Sequence, residues 1–138
     1  MATPFGTLYE AIRVASGNED PVIGPEVMPD SRCDVLIRTA IPVLSGYSGN
    51  FEHCGYRQNS ETFVWEIFNS LLPEAELKAV TITAIATVCA HRYFVGIGNR
   101  TAVHDTFCQI SNLALVAGGE PILGYKAIGV VAEQFQVL

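Results

Sequence analysis

Four side chains capable of chemistry lie in the second half of the sequence: Cys89, His91, His104 and Cys108. A thiolate is the nucleophilic form of cysteine, and nearby positive charge lowers a thiol's pKa. Cys89 beside His91 and Arg92 is therefore the leading candidate for an activated thiol. The competing reading packs Cys89 in a core helix, with His91 and Arg92 opening its exposed end. On a helix, Cys89 and His91 point about 200° apart and cannot chelate one ion together. His104 and Cys108 are four apart and share a face. A Cys2His2 zinc site built from both pairs needs one ligand in a turn, and buried cysteine commonly serves as a small hydrophobe. The sequence therefore assigns no metal ligand and no cofactor.

The other motifs carry less. The four cysteines, Cys33, Cys54, Cys89 and Cys108, are spaced by 21, 35 and 19 residues, which matches no zinc ribbon or finger. His53-Cys54 falls in a glycine-rich stretch that reads as an exposed loop. Asn99-Arg100-Thr101 fits a glycosylation sequon, and His104-Asp105 looks like the paired ligands of HD phosphohydrolases without their further His and Asp. Trp65 reads as a core or interface anchor. There is no Walker loop, no dinucleotide-binding glycine fingerprint and no Gly-x-Ser-x-Gly elbow.

Composition narrows the classes. The chain has 138 residues, of which 49% are hydrophobic and only 16% charged, with a formal net charge of −6. Charged residues usually make up roughly 25%. Disorder needs low hydrophobicity and high charge, so it is excluded. The acidic balance argues against binding nucleic acid through phosphate neutralisation. The uncharged stretch from Ala79 to Ala90 is shorter than the roughly 18 residues of a membrane span. The N-terminus shows no secretion signal, so the expectation is a cytoplasmic protein with free thiols. Eleven of the 14 acids lie in residues 1–76, and residues 77–138 hold only seven charges. One domain is expected, with a polar part over 1–59 and an apolar core over 60–138.

The elements that must position these residues read as helices. Thr7 can cap a helix to about Ala15, which stops at Ser16-Gly17-Asn18-Glu19-Asp20-Pro21. Pro21, Pro25 and Pro29 hold residues 21–29 extended or in turns. Asp30 can cap a helix to about Leu44 that Pro42 would kink or shorten. Residues 45–59 read as a loop. Ser60 can cap a helix with Phe63, Ile67 and Leu71 on one face, and Pro73 suits the first turn of the next. Residues 79–95 alternate Thr with aliphatics, a strand signature, yet their length favours a buried helix. Gly96 to Asn99 forms a turn, Thr101 can cap a helix over 102–117, and Pro121 begins a last helix to about Phe135. The expected fold is thus an all-α, single-domain bundle of five to six helices.

Two segments give a family resemblance. The first is Leu72-Pro73-Glu74-Ala75-Glu76-Leu77, followed by the apolar run to Cys89-Ala90-His91-Arg92. The second is Leu113 to Gly119 followed by Glu120-Pro121, with Tyr125 beyond. Together they resemble the AhpD-like, carboxymuconolactone decarboxylase-type family over residues 60–138. The resemblance implies an all-helical subunit of a trimer or hexamer, and in one branch a Cys-x-x-Cys pair that reduces hydroperoxides. By position it makes Cys89 the first cysteine, His91 the histidine within the motif and Glu76 the upstream acid. Arg92 stands where the second cysteine is expected, and Gly96 where a later histidine is.

Two functions are therefore expected from the sequence. One is an AhpD-like oligomer acting as a weak or degenerate thiol-dependent hydroperoxide reductase, with Cys89, His91 and Glu76 as its catalytic set. The other is a non-enzymatic self-assembling structural subunit, such as a viral coat or filament protein. A small-molecule pocket using His104 and Tyr125 is a third, less defined possibility. The expected partners are further copies of the chain and a small-molecule substrate, with neither nucleic acid nor membrane.

Overall fold

The computed structural model describes residues 2–44 and 53–116. They run β1 (Thr3–Pro4), α1 (Gly6–Ala15), α2 (Ile23–Val27), α3 (Asp30–Leu44), β2 (Cys54–Gln58), β3 (Trp65–Asn69), α4 (Ala79–Ile97) and α5 (Arg100–Val116). The most apolar stretch becomes the central helix. In α4 every residue from Ala84 to His91 is buried, and α1, α3 and α5 pack around it. Its threonines do not make it a strand, because their hydroxyls are satisfied within the helix. Thr83 donates to the Ala79 carbonyl at 3.0 Å and Thr87 to the Thr83 carbonyl at 2.8 Å. Gly98 ends α4 in the left-handed region (φ 72°), donating its N–H to the Phe94 and Val95 carbonyls. Asn99 then caps α5, its Oδ1 accepting the Ala102 N–H at 3.1 Å. The cap is Asn99 rather than the expected Thr101.

The all-α expectation is wrong. The structure contains a three-stranded antiparallel sheet in the order β1-β3-β2, so the fold is mixed α and β. The expected helix from Ser60 is instead a hairpin turn followed by β3, and β2 occupies the end of the expected loop. Tyr56 and Thr3 flank Ile67 from either side. Residues 59–64 form the turn: the Asn59 side chain accepts the Glu61 and Thr62 N–H groups at 2.9 and 3.1 Å, and the Asn59 N–H donates to the Val64 carbonyl at 2.8 Å. Asn59, not Ser60, organises this segment. Helix α4 begins at Ala79, six residues after Pro73, so Pro73 does not sit in its first turn.

Sheet and helices share one core. Phe5 is fully buried between the sheet and α1, with its ring 6.0 Å from Trp65 and 6.4 Å from Tyr56. The Arg38 guanidinium of α3 lies over Trp65 at 4.8 Å. The buried cluster joins Phe5, Leu8, Ile12, Ile37 and Ile41 from the polar front to Ile67, Ile85 and Ile110 from the apolar back. α3 runs to Leu44 with Pro42 inside its last turn. The expected helix over residues 121–135 lies outside the described residues. Among the described residues no helix is long and apolar enough to cross a membrane.

Candidate functional site

Helix α4 carries Cys89 and His91, and helix geometry sends their side chains to different places. Cys89 is fully buried in the core cluster. Burial, reinforced by the neighbouring thiol of Cys33, pushes its pKa far above the usual thiol range. Cys33 is pushed up to about 11, also mainly by burial. Cys54 is raised for the same reason. A thiol held protonated in apolar surroundings is a poor nucleophile.

His91 is also fully buried, and it faces α5. Its Nδ1 lies 2.8 Å from Thr106 Oγ1. The Thr106 hydroxyl has one proton, and it donates that proton to the Ala102 carbonyl at 2.7 Å. The contact with His91 must then run the other way, with Nδ1–H donating to Thr106. A second acceptor, the Val103 carbonyl, acts on the ring as well. Burial lowers the His91 pKa more than that carbonyl restores it, so His91 is neutral. It works as a clasp between α4 and α5, not as the cation that would activate Cys89.

Glu76 is exposed in the segment before α4. Cys89 lies ten residues into that helix, about 15 Å along its axis. The structure thus does not gather Cys89, His91 and Glu76 into one constellation. Helix α4 runs on through Cys89-Ala90-His91-Arg92 to Ile97, whereas the AhpD-like resemblance places those four residues at its end. On α5, His104 and Cys108 are both exposed and come together, with Sγ 3.8 Å from Nε2. Cys108 is therefore on an open surface while Cys89 is enclosed, and the two are not a working disulfide pair. Among the described residues no group of three His, Cys, Asp or Glu side chains could hold a metal ion.

One feature escaped the sequence. Residues 21–29 are not only extended or in turns, because they contain the short helix α2. Asp20 nucleates it: its Oδ1 accepts the Val22 and Ile23 N–H groups, each at 2.9 Å, and these bonds hold its carboxyl below the usual range. Asp20-Pro21 carries the cap-then-proline pattern that could have flagged a helix start. The burial of α2 is inverted. Its buried residue is Gly24, set so close to the turn that a Cβ there would meet the Asn18 carbonyl oxygen at 2.2 Å. Its aliphatics, Ile23 and Val27, are exposed, as is Val22 at its N-cap. Beside it, Val14, Pro21 and Pro25 line an open cleft of about 220 Å³ whose polar wall includes Glu10, Glu19 and Asp20.

No family model, no curated protein and no solved structure matches this chain. The likeness to the AhpD-type family rests on its two sequence segments, of which Gly118-Gly119-x-Pro121 lies outside the described residues.

Proposed function

We propose that this chain is a self-associating structural subunit without thiol catalysis. The observation that carries the reading is the inverted helix α2, which buries a glycine and turns Val22 and Ile23, 70% and 57% exposed, to solvent. A surface helix ordinarily does the reverse. A second apolar group lies elsewhere, on the hairpin and the chain leaving it. Phe63, Leu71 and Leu72 are 73%, 68% and 64% exposed. Phe63 is held in the left-handed region (φ 60°), a conformation uncommon for an aromatic residue. Two unlike apolar patches on one chain suit a head-to-tail contact between copies, in which patch meets patch and the assembly can extend.

The magnitudes suit a reversible contact. Full burial of such side chains is worth roughly 1.5–3 kcal/mol each, and because these five are already about a third buried, covering the rest offers about 5–10 kcal/mol. Association costs on the order of 4–15 kcal/mol. Gain and cost are of similar size, which suits weak, concentration-dependent assembly. The buried, protonated Cys89 supports the non-catalytic half of the reading. Light scattering on the reduced chain should show a mass above the 14.9 kDa monomer that falls in a Val22→Ser/Ile23→Asp variant. Hydroperoxide consumption that is present in wild type and lost in Cys89→Ser would overturn the reading in favour of the peroxidase.

A further inference from the structure

Among the described residues, His104 and Cys108 are a thiol–imidazole pair brought together at the surface. They stand one turn apart on α5, both exposed, with Cys108 Sγ 3.8 Å from His104 Nε2. Zinc takes sulfur at about 2.3 Å and imidazole nitrogen at about 2.0–2.1 Å, so two such donors in a tetrahedron stand about 3.6 Å apart. The pair therefore already has close to the bite a tetrahedral ion needs, and small rotamer adjustments close the difference. One thiolate and one imidazole also form a donor set that selects zinc-class ions over magnesium or calcium. Among the described residues no third donor joins the pair, so these residues supply half a site.

We propose that His104 and Cys108 are one half of a zinc-class metal site that the same pair from a second copy of this chain completes. A two-fold axis beside α5 presents two identical His-Cys pairs to each other, giving a closed His2Cys2 tetrahedron. Each Cys108 thiol gives its proton to solvent on binding, so one ion and two chains release two protons and form two metal–sulfur and two metal–nitrogen bonds. Asp105, exposed beside the pair, adds local negative charge, and Arg100, one turn before His104, adds positive charge. The contact uses a different surface from α2 and the hairpin. Mass measured without metal tests those patches, and the metal-dependent step tests this pair, so either can fail alone.

The test uses the full chain under a phosphine reductant, titrated with Zn2+ while mass is followed by light scattering, and with Co2+ while the visible spectrum is followed. The expected result, at concentrations where the metal-free chain is monomeric, is saturation at one ion per two chains, a doubling of the monomer mass, reversal by chelator, and the intense visible bands of tetrahedral Co2+ with thiolate ligation. Cys108→Ser and His104→Ala, both at exposed positions that leave the core intact, should each abolish the doubling and the thiolate bands. Three results would overturn the proposal: no saturable binding, binding unchanged in either variant, or one ion per chain without a change in mass. Doubling that appears only without reductant and ignores metal would also overturn it, assigning Cys108 to an intermolecular disulfide.

Discussion

The His91–Thr106 clasp between α4 and α5 can be tested by replacing Thr106 with valine, which keeps the branched shape and removes the acceptor. Both side chains are buried and their polar atoms are 2.8 Å apart. A buried donor that loses its partner costs roughly 1–3 kcal/mol, and the Val103 carbonyl near the ring keeps the cost toward the lower end, about 1–2 kcal/mol. Unfolding entropy of about 2.1 cal/mol/K per residue over 138 residues gives about 0.3 kcal/mol per degree. Thr106→Val should therefore lower Tm by about 3–7 °C at neutral pH. The same clasp fixes a pH dependence. His91 has a folded pKa below its unfolded value of 6.5, so below that pH the unfolded chain takes up a proton that the folded chain resists. Stability should start to fall as pH drops through 6.5, by up to about 1.4 kcal/mol per pH unit, with the loss complete once pH has passed the folded pKa. His91→Asn keeps a donor toward Thr106 and removes the titration, so its denaturation free energy should lack this slope. Chemical denaturation from neutral pH to pH 5 measures both. A Tm change under one degree in Thr106→Val, or a wild-type slope in His91→Asn, would refute the clasp.

Other outcomes follow from single features. Gly24→Ala drives a Cβ to 2.2 Å from the Asn18 carbonyl, so α2 must shift; a loss of about 1–3 kcal/mol in stability is expected, together with weaker self-association by light scattering. Phe5→Ala removes the fully buried ring between Trp65 and Tyr56 and should cost about 3–5 kcal/mol in chemical denaturation, with a clear change in Trp65 fluorescence. Brief alkylation of the folded chain should give a single adduct at Cys108 by mass spectrometry, with Cys33, Cys54 and Cys89 reacting only after denaturation. Fast labelling of Cys89 in the folded state would contradict its enclosure.

How much of this was legible in the sequence varies by segment, for physical reasons. Helices α1, α3, α4 and α5 announce themselves through apolar spacing, caps and length, and their ends fall within a few residues of the expected ones. The hairpin does not. Phe63, Ile67 and Leu71 fit a helical face, but the strand residues Trp65, Ile67 and Phe68 are equally at home in a sheet. The tie is broken by Asn59, whose side chain closes a turn, and by pairing to Thr3, sixty-four residues away from Ile67, which no local window contains. The reactive residues were found, yet their relations were not. Residue spacing placed His104 with Cys108, and the structure agrees. A core position for Cys89 is one of the two readings the sequence allows, but spacing could not reveal that Cys33 lies nearby, since that proximity joins α4 to α3. Nor could it show that α2 turns its aliphatics outward, because the inversion depends on how closely Gly24 approaches the Asn18 backbone.

Self-association through α2 is tested most directly by sedimentation velocity on the reduced, metal-free full chain over a wide range of concentration, with Val22→Ser/Ile23→Asp run alongside. The wild-type weight-average mass should climb with concentration above 14.9 kDa while the variant stays monomeric. A wild-type chain that sediments as a 14.9 kDa monomer throughout, or a variant that assembles as wild type does, would contradict it.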